Sequence, residues 1–217
     1  MLFCYIDSHV ADEPYPDLMY EVDGAGYPYV CFLDPNGHLL AKQKSEATRE
    51  DGVAAFEATL ATGVKAFYDL EKAAKNGGKK AKAEFFMRRF DLGHLGMDDL
   101  QAALEAAFLS EDQLPLVQER LMELRVKDCL EGLDQTKKET FGPCAEKLLK
   151  LHKTIGLPEG PAGWHPWNVI LEDAYRRRDA KTFEMAFTAL KAAGLGSRKA
   201  FVAKRQKQLD ELKAGKK

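Results

Sequence analysis

The chain has 217 residues, enough for one large or two small domains, of which 45% are hydrophobic and 30% charged. Its formal net charge of −2, from 32 Lys and Arg against 34 Asp and Glu, argues against an electrostatic nucleic-acid partner. No apolar run approaches the roughly 18 residues of a membrane span, and Met1 leads straight into Leu-Phe-Cys-Tyr-Ile-Asp, without the basic start or small-residue cleavage site of a signal peptide. As written, the sequence predicts a soluble cytoplasmic protein. A native start upstream of Met1 would reopen export to the periplasm or the cell exterior.

In chain order, Leu2 to Asp7 reads as a strand, and Asp12-Glu13-Pro14 opens a helix that runs to Glu21. Gly24 and Gly26 end that helix and free the backbone for a turn into Pro28. Tyr29 to Leu33 is a β-branched and aromatic run, Asp34-Pro35-Asn36-Gly37 is turn chemistry, and His38 to Lys42 is a second short strand, so the stretch predicts a β-hairpin. Pro28 has no N–H for a ladder and fits only at a strand's first residue or on an edge. The Tyr27–Pro28 bond is a candidate cis peptide.

Gly26-Tyr27-Pro28, an apolar strand and Leu33-Asp34-Pro35-Asn36-Gly37 together resemble the second half of a thioredoxin-like domain. In that family the loop before this strand carries a cis-proline beside the active site. The resemblance covers residues 1–75 and implies that Gly26, Tyr27 and Pro28 line a groove where an extended peptide pairs with the backbone. The departure is large: the chain starts at what would be the second conventional strand, and no Cys-x-x-Cys occurs anywhere. The resemblance therefore implies half a redox fold without its reactive centre, and no catalytic residue is carried over.

Thr48-Arg-Glu-Asp51 resembles a capping box, and Val53, Phe56, Leu60, Val64, Phe67 and Leu70 follow at spacings of three and four, interrupted only by Gly63. Asn76-Gly77-Gly78 stops that helix and sets a boundary between a domain over residues 1–75 and an all-helical one over 79–217. The second predicts helices over Ala81 to Phe90, from Asp98 or Asp99, over Leu114 to Leu133 behind the Ser110-Glu-Asp-Gln113 box, from Pro143, from Pro166 to Arg178, over Ala180 to Ala193, and from Ser197. Several pair as helical hairpins loosely similar to tetratricopeptide-type repeats, without a fixed period. The fold class expected is α+β: a partial thioredoxin-like unit with a small mixed sheet, then an α-helical domain.

The four cysteines, Cys4, Cys31, Cys129 and Cys144, have neither metal-ligand nor redox spacing. Cys144 follows Pro143 at a helix start, where the dipole lowers a thiol pKa, so it is the candidate reactive thiol. Burial as a small hydrophobe is the competing reading. The five histidines stand apart, no metal site or cofactor is indicated, and Trp164-His165-Pro166-Trp167 reads either as a ligand slot or as a loop packing its aromatics on a core. Arg176-Arg177-Arg178 suits a helix C-terminus.

Three functional readings follow. The first is a redox-inactive thioredoxin-like module with a helical extension that binds a protein or peptide by strand addition. The second is a thiol-disulfide oxidoreductase whose Cys-x-x-Cys segment lies upstream of Met1, and the third is a structural helical adaptor. A partial sheet also leaves an open edge, which predicts cover by the helical domain or by a second copy in a homodimer.

Overall fold

The computed structural model describes residues 31–34, 37–42 and 52–215, which are mostly helical with one two-stranded antiparallel sheet. This agrees with α+β in its coarse sense. The proposed first strand, the helix at Asp12, the Tyr27–Pro28 bond, the edge of the partial sheet and the Thr48 capping box lie outside the described residues. The chain divides into two compact units, with the boundary between Gln113 and Leu114.

In the first unit, strands β1 (Cys31–Leu33) and β2 (Leu39–Lys42) form the hairpin expected from the turn chemistry. Phe32 pairs with Ala41 and Leu33 with Leu39, which leaves a bulge on β2. Asp34 closes the turn from both sides: its N–H donates to the His38 carbonyl (2.9 Å), and its carboxylate accepts from the His38 N–H (2.9 Å) and pairs with the His38 ring (3.0 Å). Gly37 sits at φ +87°, a conformation that favours glycine.

Helix α1 (Gly52–Thr59) runs through a π-helical turn, Leu60–Lys65, into α2 (Ala66–Asn76). Gly63 lies in that turn, and a Cβ there would collide with the Cβ of Ala41 on β2. The glycine that interrupts the apolar helix pattern therefore marks a close approach of helix to strand. Gly63→Ala gains about 1 kcal/mol of helix propensity, but overpacking costs about 1–3 kcal/mol, and here the opposing atom sits on a strand and cannot swing aside. We expect a net loss of stability, read as faster hydrogen exchange of the β2 amides; unchanged protection would refute the close approach.

Phe32, Leu40, Ala41 and Phe67 form the buried core of the hairpin region, with Phe56, Val64, Phe85 and Leu92 packed around it. Gly77 and Gly78 separate α2 from α3 (Lys79–Asp91), and the two helices pack as a hairpin. The Asn76-Gly77-Gly78 break thus falls inside the first compact unit, because the apolar faces of α2 and α3 meet each other. Arg88 of α3 donates to the Leu40 carbonyl (3.3 Å), and the ring of His94, in the turn after α3, meets the Leu39 carbonyl, so both hold β2. Helix α4 (Met97–Glu105) is capped at Gly96, whose N–H donates to the Asp99 carboxylate (3.2 Å). Asp99 is therefore the third residue of the helix rather than its start.

The long helix α5 (Gln113–Leu130) starts where the Ser110 box predicts, with the Gln113 side chain accepting from the Ser110 N–H (3.0 Å). It stops before Leu133 because Gly132 adopts φ +82° and ends the helix. In the second unit follow α6 (Phe141–Ile155), α7 (Trp164–Arg177), α8 (Ala180–Ala192) and α9 (Lys199–Lys213), each packed on the next. Helix α7 is buried over much of its circumference, with Trp167, Val169, Ile170, Leu171 and Ala174 in the core, as a central helix must be. Phe183, Ala186, Phe187 and Leu190 of α8 face it.

The α7–α8 connection is two residues long. Arg178 takes the left-handed conformation at φ 60°, and Asp179 caps α8 by accepting from the Thr182 N–H (3.0 Å) and hydroxyl (2.6 Å). Those bonds, the hydroxyl first, hold the Asp179 carboxyl below its ordinary pKa of 3.8. Its stabilising contribution is complete above that ordinary value and is lost as pH falls through the lower folded value. Asp179→Ala should cost about 1 kcal/mol at neutral pH, whereas Asp179→Asn should keep the cap and lose the acid dependence. Urea midpoints of the three proteins across the acid range check this; parallel pH profiles would contradict it.

Candidate functional site

Gly26, Tyr27 and Pro28, the residues implied to bind a peptide, lie outside the described residues, as do Cys4 and His9. Cys144 is in the first turn of α6, 3% exposed within the core of the second unit, with its thiol directed to the Glu131 carbonyl at 3.9 Å. The helix starts at Phe141, two residues before Pro143. Cys129 is buried in the same core, and burial raises its thiol pKa; burial also raises that of Cys31 on β1.

The Trp-His-Pro-Trp cluster is divided between two tasks. Trp164 donates its indole N–H to the Ala193 carbonyl (2.6 Å) beneath the Arg198 guanidinium, and Trp167 meets the His152 ring edge-on at 4.8 Å between centroids. Both indoles pack within the helical unit, while His165, between them in sequence, faces a groove. His38 and His94, far apart in sequence, lie 5.4 Å apart between ring centroids, with His94 also against Phe67. Burial is the main cause that lowers the His94 pKa, opposed by its bond to the Leu39 carbonyl. Among the described residues no three His, Cys, Asp or Glu side chains converge as metal ligands.

The groove that His165 faces belongs wholly to the second unit and encloses about 600 Å³. Its long wall is one stripe of α7: His165, Asn168, Val169, Glu172, Tyr175 and Arg176, at the three- and four-residue spacing of a helix face. The opposite wall comes from Leu133 and Gln135 in the turn after α5, with Lys138 and Phe141 at the entry to α6. Gln208 of α9 closes one side.

A buried cation organises these polar groups. Arg205 of α9, three residues before Gln208, is 7% exposed and donates to Gln208 Oε1 (2.9 Å), Asn168 Oδ1 (3.3 Å) and Glu172 Oε1. Its guanidinium lies 5.5 Å from the Phe201 ring centroid. Tyr175 donates its hydroxyl to Glu211 (3.1 Å), and Arg176 donates to the Lys138 carbonyl, which ties α7 to the entry of α6. The other members of the basic run do different work: Arg177 pairs with the buried Asp173 at 2.7 Å, and Arg178 makes the left-handed turn.

Sequence reasoning treated Arg176 as one of three helix-end cations and did not single out Arg205. The signal for the groove was present as a polar stripe, His165, Asn168, Glu172 and Arg176, on an otherwise apolar helix. Its partner 33 residues beyond Glu172 was not visible in any local pattern.

Among the described residues no helix is long and apolar enough to cross a membrane. No family model matches the chain, and neither a curated protein nor a solved structure matches it.

Proposed function

We propose that the protein is a binding module for a protein or peptide segment, and that the α7 groove of the helical unit is where the segment docks. The observation that carries this reading is the groove's construction: apolar and aromatic side chains, Leu133, Phe141, Val169 and Tyr175, alternate with polar groups held in fixed orientation by Arg205. Such a mixture of apolar wall and few placed polar groups suits a ligand with side chains and amides together. The Cα-to-core packing of α7 behind the groove keeps these positions rigid, so little ordering is lost on binding.

A redox-inactive, thioredoxin-like first unit remains part of this proposal. The hairpin over Cys31–Leu33 and Leu39–Lys42, followed by a helix, supports it as the arrangement that the resemblance implies. In that half of the reading Gly26, Tyr27 and Pro28 form a second peptide contact by strand addition. The two-residue α7–α8 connection likewise supports a helical-hairpin, tetratricopeptide-type likeness in the second unit.

The test is a peptide selected against the full chain from a random library, followed by NMR of the chain with that peptide. The expected shifts fall on the amides of Gln135, Asn168 and Gln208. Shifts confined to Gly26 and Tyr27 would move the site to the N-terminal loop, and failure to select any peptide would refute the binding reading. Catalysed reduction of a protein disulfide by the chain would favour the oxidoreductase reading instead.

A further inference from the structure

We infer that the α7 groove takes an acidic peptide segment, with its carboxylates paired to Lys138 and Arg176 and its backbone carbonyls accepting from the amides of Asn168 and Gln208. This rests on the peptide-binding reading above and adds the chemistry of the ligand. A guanidinium has five N–H donors and no acceptor. Each amide that meets Arg205 must therefore present its oxygen, as Asn168 does with Oδ1 and Gln208 with Oε1. The NH₂ group of each amide is thereby turned away from Arg205, and among the described residues neither has an acceptor. One buried residue thus sets the hydrogen-bond polarity of two groove residues from behind.

The charges agree with that polarity. Glu172 is the one acid among the described residues lining the groove, and its charge is met by Arg205. Lys138 and Arg176 are exposed cations on the same groove with no carboxylate partner among the described residues. Arg176 spends one N–H on the Lys138 carbonyl, which fixes its guanidinium beside that residue and leaves its other donors open. Four groups with open donors, two of them charged, line the groove beside the one acid that Arg205 pairs. Carboxylates and peptide carbonyls are the acceptors that pair with these donors.

The full chain is titrated, by fluorescence anisotropy, with a short labelled peptide alternating Glu and Leu and with the same peptide carrying Gln for Glu. The Glu peptide is expected to bind at least about tenfold more tightly, from charge-assisted bonds that its neutral counterpart lacks, and the advantage should shrink as salt rises. In the double variant Lys138→Gln/Arg176→Gln, whose two positions are exposed, the two peptides should bind alike while the chain still unfolds in one cooperative melt, lowered only by the loss of the Arg176 bond to the Lys138 carbonyl. Equal affinities for the parent chain, or an advantage that persists in the double variant, overturn the acidic-ligand inference and leave peptide binding standing. Binding of neither peptide overturns the docking reading itself.

Discussion

Replacing Phe183 by alanine should destabilise the second unit by about 3–5 kcal/mol, the range for removing a large aromatic from a well-packed core. Phe183 has no solvent exposure; its ring lies 5.9 Å from Tyr175 and 6.4 Å from Phe187 between centroids. The surrounding side chains, Ile170, Leu171 and Ala174 on α7, belong to a helix buried over much of its surface and have no solvent-facing direction in which to collapse. A Leu at this position should lose less, because it refills part of the volume. Urea unfolding followed by tryptophan fluorescence measures the effect on this unit, since both tryptophans, Trp164 and Trp167, lie in it. A midpoint within experimental error of the parent would mean that α8 does not pack on α7 as described.

The second large effect concerns Arg205. Its alanine variant removes the donor shared by Glu172, Asn168 and Gln208 and leaves the carboxylate, two-thirds buried, without its counter-charge. Breaking one side of a buried ion pair costs about 3–5 kcal/mol; partial solvation of Glu172 puts the expectation at the lower end. Arg205→Met keeps the packing of the stem against α7 and still strands the acceptors, so it should lose nearly as much. Pairing it with Glu172→Leu should recover most of the loss, because an apolar pair of similar volume needs no desolvated charge. Arg205 Nε is itself buried without a hydrogen-bond partner among the described residues. From behind the groove Arg205 has a positioning role: in Arg205→Met the two amides are free to rotate, and peptide affinity should fall even where the fold persists. A stable Arg205→Met protein with unchanged peptide affinity would argue against that role.

Local information was enough for the hairpin and for most helices. Asp34 and Gly37 make their turn with bonds inside five residues, and the helices after Asn76 follow from apolar spacing and from the Ser110–Gln113 box. Helix ends were legible only where the stop signal was sequence-local. The α5 end was overrun because Gly132 inside an apolar pattern looks tolerable until its φ is known. The break at Gly77-Gly78 reads as a boundary because turn residues look the same whether the flanking helices pack together or apart.

Composition, spacing and capping chemistry by themselves determined that the chain is mainly helical, where its hairpin lies and which helix faces are apolar, since each of these depends on residues within about one turn of each other. Only the tertiary structure decided that Gly63 lets α1–α2 close on Ala41, that Cys144 is a core side chain, and that Arg205 reaches across from α9 to order the polar stripe of α7. Those facts rest on contacts between residues 22 to 37 positions apart or on burial by other helices, and a linear pattern carries no record of which face meets which.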